Sequence, residues 1–170
     1  LEGPMNDSTL MHDTQAGSDA RIEIPPVAEI VEPPPSSERL GVAEAVSCAP
    51  RRALAGRRLV SPGHSEIYVV DPDGFRRRIP NHTTYNRLFR NWSGIDDEPN
   101  LHEIAIGPEL TTGTILVRGD AADAIYLLDQ GRKRLVADAA AMDKYWFNWS
   151  RIFAVRQAVI DRIPPGADWE

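Results

Sequence analysis

Two stretches of this chain repeat one another. Ile67-Tyr-Val-Val-Asp-Pro-Asp-Gly-Phe-Arg-Arg-Arg-Ile79 is followed by Arg90-Asn-Trp-Ser93, and Ile125-Tyr-Leu-Leu-Asp-Gln-Gly-Arg-Lys-Arg-Leu-Val136 by Phe147-Asn-Trp-Ser150. Each copy reads as an aliphatic strand, a Gly-containing turn, a basic return strand, a helix and an indole. A unit of about fifty residues buries too little surface to be stable alone, so the two copies are expected to pack together. The fold class that follows is α+β: two packed repeats of β-hairpin, short helix, strand and helical turn, behind a disordered Pro-rich arm.

The arm is read from composition. Residues 5–38 are poor in large apolar side chains and hold Ile24-Pro-Pro26 and Glu32-Pro-Pro-Pro35. Proline fixes φ and removes a donor, which excludes helix and central strand and favours extended polyproline II. Such a segment buries too little apolar surface to offset the entropy of ordering. Residues 1–4 precede Met5 and read as a cloning scar. Residues 39–55 form a short helix or linker, residues 56–112 the first repeat, and residues 113–170 the second.

Within the copies, turn and cap chemistry sets the elements. Asp71-Pro-Asp-Gly74 and Asp129-Gln-Gly131 are reverse turns, because Gly supplies the left-handed residue a hairpin needs. Strands are expected at Arg58–Val60, Ile67–Val70 and Phe75–Ile79, then at Thr114–Val117, Ile125–Leu128 and Arg132–Val136. Helices are expected over His82–Arg90, Asp138–Trp146 and Gln157–Arg162, and a strand over Ile152–Val155. In the first copy, Asp96–Asn100 reads as an acidic loop, Leu101–Ile106 as a strand and Pro108–Leu110 as a helical turn.

The pattern resembles a bacterial tandem repeat in which Tyr-aliphatic-aliphatic-Asp-x-Gly-x-basic-Arg precedes a helix, a Trp and an Ile-Pro-x-Gly ending. Tyr68, Asp71, Gly74, Arg77 and Trp92 match in the first copy. Tyr126, Asp129, Gly131, Arg134, Trp149 and Ile163-Pro-Pro-Gly166 match in the second. The first copy departs from it by one added turn residue and by Ile106-Gly-Pro-Glu-Leu110 at its end. The resemblance implies a binding or spacer module.

Charge is uneven. Net charge is −6 overall, but residues 1–50 carry −7, residues 51–92 carry +6 and residues 93–170 carry −5. A basic middle suits an anionic partner or the acidic parts of the chain itself. Alternation along a strand puts Arg76 and Arg78 on one face, with Arg132 and Arg134 on the expected counterpart face of the other copy. Four guanidinium groups on open sheet would hold phosphate or carboxylate, unless they serve a solvated face paired with nearby acids. Nucleic acid is disfavoured by the overall negative charge and the lack of any matching motif. Trp92 and Trp149, at matched positions, are expected to anchor the cores. Trp146 and Trp169, without matched indoles, are expected to be exposed and to stack on a ligand such as a sugar ring.

Catalytic patterns are missing from the sequence. The only cysteine, Cys48, excludes an intrachain disulfide and a Cys-based metal site. His64, His82 and His102 lack metal-ligand spacing, and Asp71-Pro-Asp-Gly74 lacks the later ligands of a calcium loop. No Gly-x-Ser-x-Gly, Walker or Gly-x-Gly-x-x-Gly motif occurs. No apolar run reaches membrane-helix length, and Met5 as a native start implies a cytoplasmic protein. The functional expectation is a bacterial, non-enzymatic, carbohydrate-binding or adaptor module without a cofactor. It would take an anionic or saccharide polymer or a protein through Arg76, Arg78, Arg132, Arg134, Trp146 and Trp169. The alternative is a spacer whose arm docks to a protein through Ile22, Ile24, Val27 and Ile30, with Ile22 and Ile24 able to add a strand to a sheet edge.

Overall fold

The computed structural model describes residues 47–170. The arm, its docking residues Ile22, Ile24, Val27 and Ile30, and most of the helix expected before Cys48 lie outside the described residues.

Each copy builds a four-stranded sheet by the same route. In the first, β1 (Arg58–Val60), β2 (Ile67–Val70) and β3 (Arg76–Arg78) form an antiparallel meander. Helix α1 (His82–Leu88) follows, and β4 (Ile95–Asp97) returns parallel to β1, giving the order β3-β2-β1-β4. In the second, β5 (Ile115–Gly119), β6 (Ile125–Asp129), β7 (Arg132–Val136), α2 (Ala139–Lys144) and β8 (Ile152–Val155) repeat it, in the order β7-β6-β5-β8. A last helix, α3 (Gln157–Asp161), lies beyond β8. The α+β expectation of two packed repeats holds.

Local chemistry explains the helix starts. The Asn81 side chain accepts the Thr84 amide at 2.8 Å, and the Asp138 side chain accepts the Ala141 amide at 2.8 Å. Each satisfies an amide the first helical turn leaves open. Three expectations in the first copy change. The first two residues of the acidic loop, Asp96 and Asp97, belong to β4, because Ile95–Asp97 pairs with β1. Leu101–Glu103 is a 3-10 turn, not part of a strand. Pro108–Leu110 has no helical turn: the Gly107 amide donates to the Arg76 carbonyl and the Leu110 amide to the Arg78 carbonyl, so this segment runs along the edge of β3.

The two copies share one apolar core. It joins Val69, Tyr85, Leu88 and Phe89 of the first copy to Leu116, Leu127, Met142, Tyr145, Phe147 and Trp169 of the second. Burying each large apolar side chain stabilises by about 1.5–3 kcal/mol. The junction is reciprocal: the Arg90 amide donates to the Trp146 carbonyl, and the Asn148 amide to the Leu88 carbonyl. A smaller cluster of Leu59, Val70, Leu101 and Ile104 covers the other face of the first sheet. The duplicated basic strands are therefore not an open surface.

Candidate functional site

Turn length decides where each arginine goes. Between β6 and β7 the two-residue turn Gln130-Gly131 has φ of 51° and 71°. Between β2 and β3 the turn is one residue longer and closes through the Asp71 amide to the Phe75 carbonyl. The extra residue shifts the return strand, so Val69 faces Arg77 where Leu127 faces Arg134. Arg77 is thus the counterpart of Arg134, and Arg76 that of Lys133. The expected match of Arg76 and Arg78 with Arg132 and Arg134 is wrong by one position.

Arg77 points into the molecule, 2 % exposed, and its guanidinium meets the fully buried Asp129 of the other copy at 2.5 Å. Asp129 also accepts from the Thr114 hydroxyl at 2.8 Å and the Thr111 amide at 3.2 Å. Arg134 is half-buried against Gly166, where an added Cβ would lie 3.1–3.2 Å from its side chain. Burial lowers its pKa from the ordinary guanidinium value, and nearby Arg77 acts the same way. Arg76 donates to the Ile104 carbonyl and lies 5.0 Å over the Tyr68 ring. Lys133 repeats this with the Ile160 carbonyl and the Tyr126 ring. Arg78 is forked between Glu66 and Glu109, and Arg132 donates to the Pro165 carbonyl. The four arginines expected to form one cationic face are dispersed into separate internal contacts.

The tryptophans exchange the roles expected of them. Trp169 is 2 % exposed and packs against Tyr145, Phe147 and the Arg77 guanidinium. Its amide donates to the Leu135 carbonyl as that of Leu110 does to Arg78, so its counterpart is the buried Leu110. Trp146, half-buried, donates to the Asn91 side chain and lies beneath the guanidinium groups of Arg58 and Arg90. Both rings are used inside the protein. Trp92 and Trp149 are instead 42 % and 47 % exposed. The apolar demand of the junction is met by Phe89 and Phe147, whose rings stack at 5.8 Å, so the indoles that follow them are free to face solvent.

Trp92 stands at a groove of about 440 Å³. The end of β3, Pro80, the first turn of α1 and the start of β2 form its walls. The indole is pinned: it stacks on Tyr85 at 4.1 Å and 25°, meets His82 edge-on at 5.0 Å, and donates to the Asn86 side chain at 2.8 Å. Tyr85 is itself fixed, donating to the Asn91 carbonyl at 2.9 Å and bonded by buried Arg58. Burial raises the Tyr85 pKa above the phenol value, against the pull of Arg58. Across the groove stand Ser65, Glu66 and Arg78, the last two paired at 3.3 Å.

Chemically this is an aromatic ledge facing a carboxylate, a guanidinium and hydroxyls. Among the described residues no group of three or more His, Cys, Asp and Glu is placed to hold a metal ion, and no helix is long and apolar enough to cross a membrane. Sequence reasoning identified Arg78 of this groove but missed Trp92, Tyr85, His82 and Glu66 as parts of it. The signal was present as Trp92 following a helix that carries His82 and Tyr85. Buried Arg58 gave no sequence signal, since its counterpart in the second sheet is Leu116. No protein-family model matches the chain, and no curated protein or solved structure matches it.

Proposed function

We propose that this chain is a non-catalytic binding module whose first repeat takes a saccharide in the Trp92 groove. The observation that supports it is the immobilised, half-exposed indole. A sugar ring presents C–H groups to an aromatic face and hydroxyls around its rim, and buried aromatic contacts of this kind dominate binding energy. Trp92 offers the face, already ordered by Tyr85 and Asn86, so little side-chain entropy is lost on binding. Glu66 accepts, Arg78 donates, and the Ser65 hydroxyl does either, which suits vicinal hydroxyls.

The test is titration calorimetry of the full chain against a panel of neutral and acidic oligosaccharides. Trp92→Ala is expected to weaken binding about thirtyfold, the equivalent of about 2 kcal/mol. Trp149→Ala, equally exposed but outside the groove, should leave it unchanged. A folded Trp92→Ala protein that binds as tightly as the parent rejects the reading.

A further inference from the structure

The four outer edges of the two sheets are treated differently. The edge of β3 is covered by the segment after Ile104, whose Gly107 and Leu110 amides bond to it. The edge of β7 is covered by Pro164–Trp169 in the same way. The edge of β4 is three residues long and ends in Asp96-Asp97, charges that deter pairing. The edge of β8 is different: Ile-Phe-Ala-Val, with no charge and no strand beyond it among the described residues.

The ladder fixes which groups face outward. Leu116 pairs with Ile152 and Arg118 with Ala154 in parallel register, and the Asp120 amide donates to the Val155 carbonyl. In a parallel ladder this alternation leaves the N–H and C=O of Ile152 and Ala154 pointing away from β5. Phe153 is 48 % exposed. Arg151 and Arg156 bracket the strand and Arg118 lies beside Ala154. All three are exposed and have no carboxylate within 4.0 Å among the described residues. The cleft next to Arg118 also holds Asp120, whose carboxylate accepts the Gln157 amide, and Asp123.

We infer that the β8 edge is a docking site for an extended peptide of a partner protein, in which acidic residues alternate with aliphatic ones. The peptide adds a fifth strand to the second sheet. Its backbone satisfies Ile152 and Ala154, an aliphatic side chain packs on Phe153, and its carboxylates reach Arg151, Arg156 and Arg118. This surface is separate from the Trp92 groove and does not depend on it.

The experiment uses the full chain and a labelled heptapeptide alternating Glu with Val, followed by fluorescence anisotropy and amide hydrogen exchange. The Ile152 and Ala154 amides should exchange fast in the free protein and slowly with peptide. Ala154→Pro removes one outward N–H without touching the β5 ladder, and should weaken binding about tenfold or more, as expected for one or two net hydrogen bonds. Arg151→Glu with Arg156→Glu, a surface change that spares the backbone, should weaken it comparably and blunt or reverse the loss of binding with added salt. A Lys-Val heptapeptide should not bind. Equal binding by Ala154→Pro or by the Lys-Val peptide overturns the proposal. So do amides already protected without peptide, which would mean that the chain covers its own edge. A dimer in sedimentation velocity that Ala154→Pro dissociates would assign the edge to a second copy, and also overturns it.

Discussion

The two repeats follow the same path and solve burial in opposite ways. The first puts Arg58 and Arg77 inside, where the second puts Leu116 and leaves Arg134 half-buried. The second buries its turn carboxylate, Asp129, while the corresponding Asp71 is only partly buried and accepts its own turn's Phe75 amide at 2.9 Å. A duplicated scaffold thus gives one buried ion pair across the junction, Arg77 to Asp129, with no equivalent pair formed by Arg134 and Asp71 among the described residues. The lesson is that near-symmetric backbones do not require symmetric energetics. One pair, Arg77 with Asp129, is taken fully out of water, while Arg134 and Asp71 beside it stay partly exposed and so avoid the full desolvation cost.

The largest expected break in this comparison comes from Asp129. Asp129→Asn leaves the buried Arg77 charge uncompensated and should cost about 3–5 kcal/mol in urea unfolding, whereas Asp71→Asn should cost about 1 kcal/mol or less. Equal costs would show that the seam is electrostatically symmetric. The indoles come next. Trp169→Ala should cost about 3–5 kcal/mol by cavity formation, and Trp92→Ala about 1 kcal/mol or less, read from thermal melts. The reverse order would restore the matched tryptophans as core anchors.

The smallest effect sharpens the view of Asp71. Burial raises its pKa above the ordinary carboxylate value, outweighing the Phe75 amide bond and Arg77, which lower it. The folded state therefore holds this proton more tightly than the unfolded chain. Asp71 favours folding most at low pH, and that contribution is lost as pH rises from about 3.9 through its raised folded pKa. The deficit of Asp71→Asn relative to the parent should be largest at low pH and shrink across that window, measured as the difference in urea midpoints. A difference that does not vary with pH would place Asp71 in contact with water.

Much of the fold was legible because the repeat carries its own punctuation. Glycine at the turns, Asn81 and Asp138 before the helices, and aliphatic runs at β2 and β6 all state local preferences that the tertiary structure keeps. The first copy misled where that punctuation is weak. Asp96–Asn100 reads as a loop because its acids disfavour a strand, yet Asp96 and Asp97 pair with β1 along a sheet edge that leaves them room in solvent. Ile106-Gly-Pro looked like a degraded ending. Gly107 takes the place of Gly166 there, because a Cβ would meet Phe75 at 2.9 Å and Arg77 at 3.3 Å.

The candidate site was less legible, since burial is not a property of residue type. Matched tryptophans suggested anchors, but whether an indole is inside depends on which rings meet at the junction between the copies. Phe89 and Phe147 do, by pairing with one another.

By itself the sequence determined that two like units of strand, turn, strand and helix exist and must share a core. Those features arise from backbone preferences and side-chain period over a few residues. Only the tertiary structure decided which arginines are buried, which tryptophans meet solvent, and which sheet edge stays open. One residue of turn length shifts a strand's register, and with it the face on which every following side chain lies.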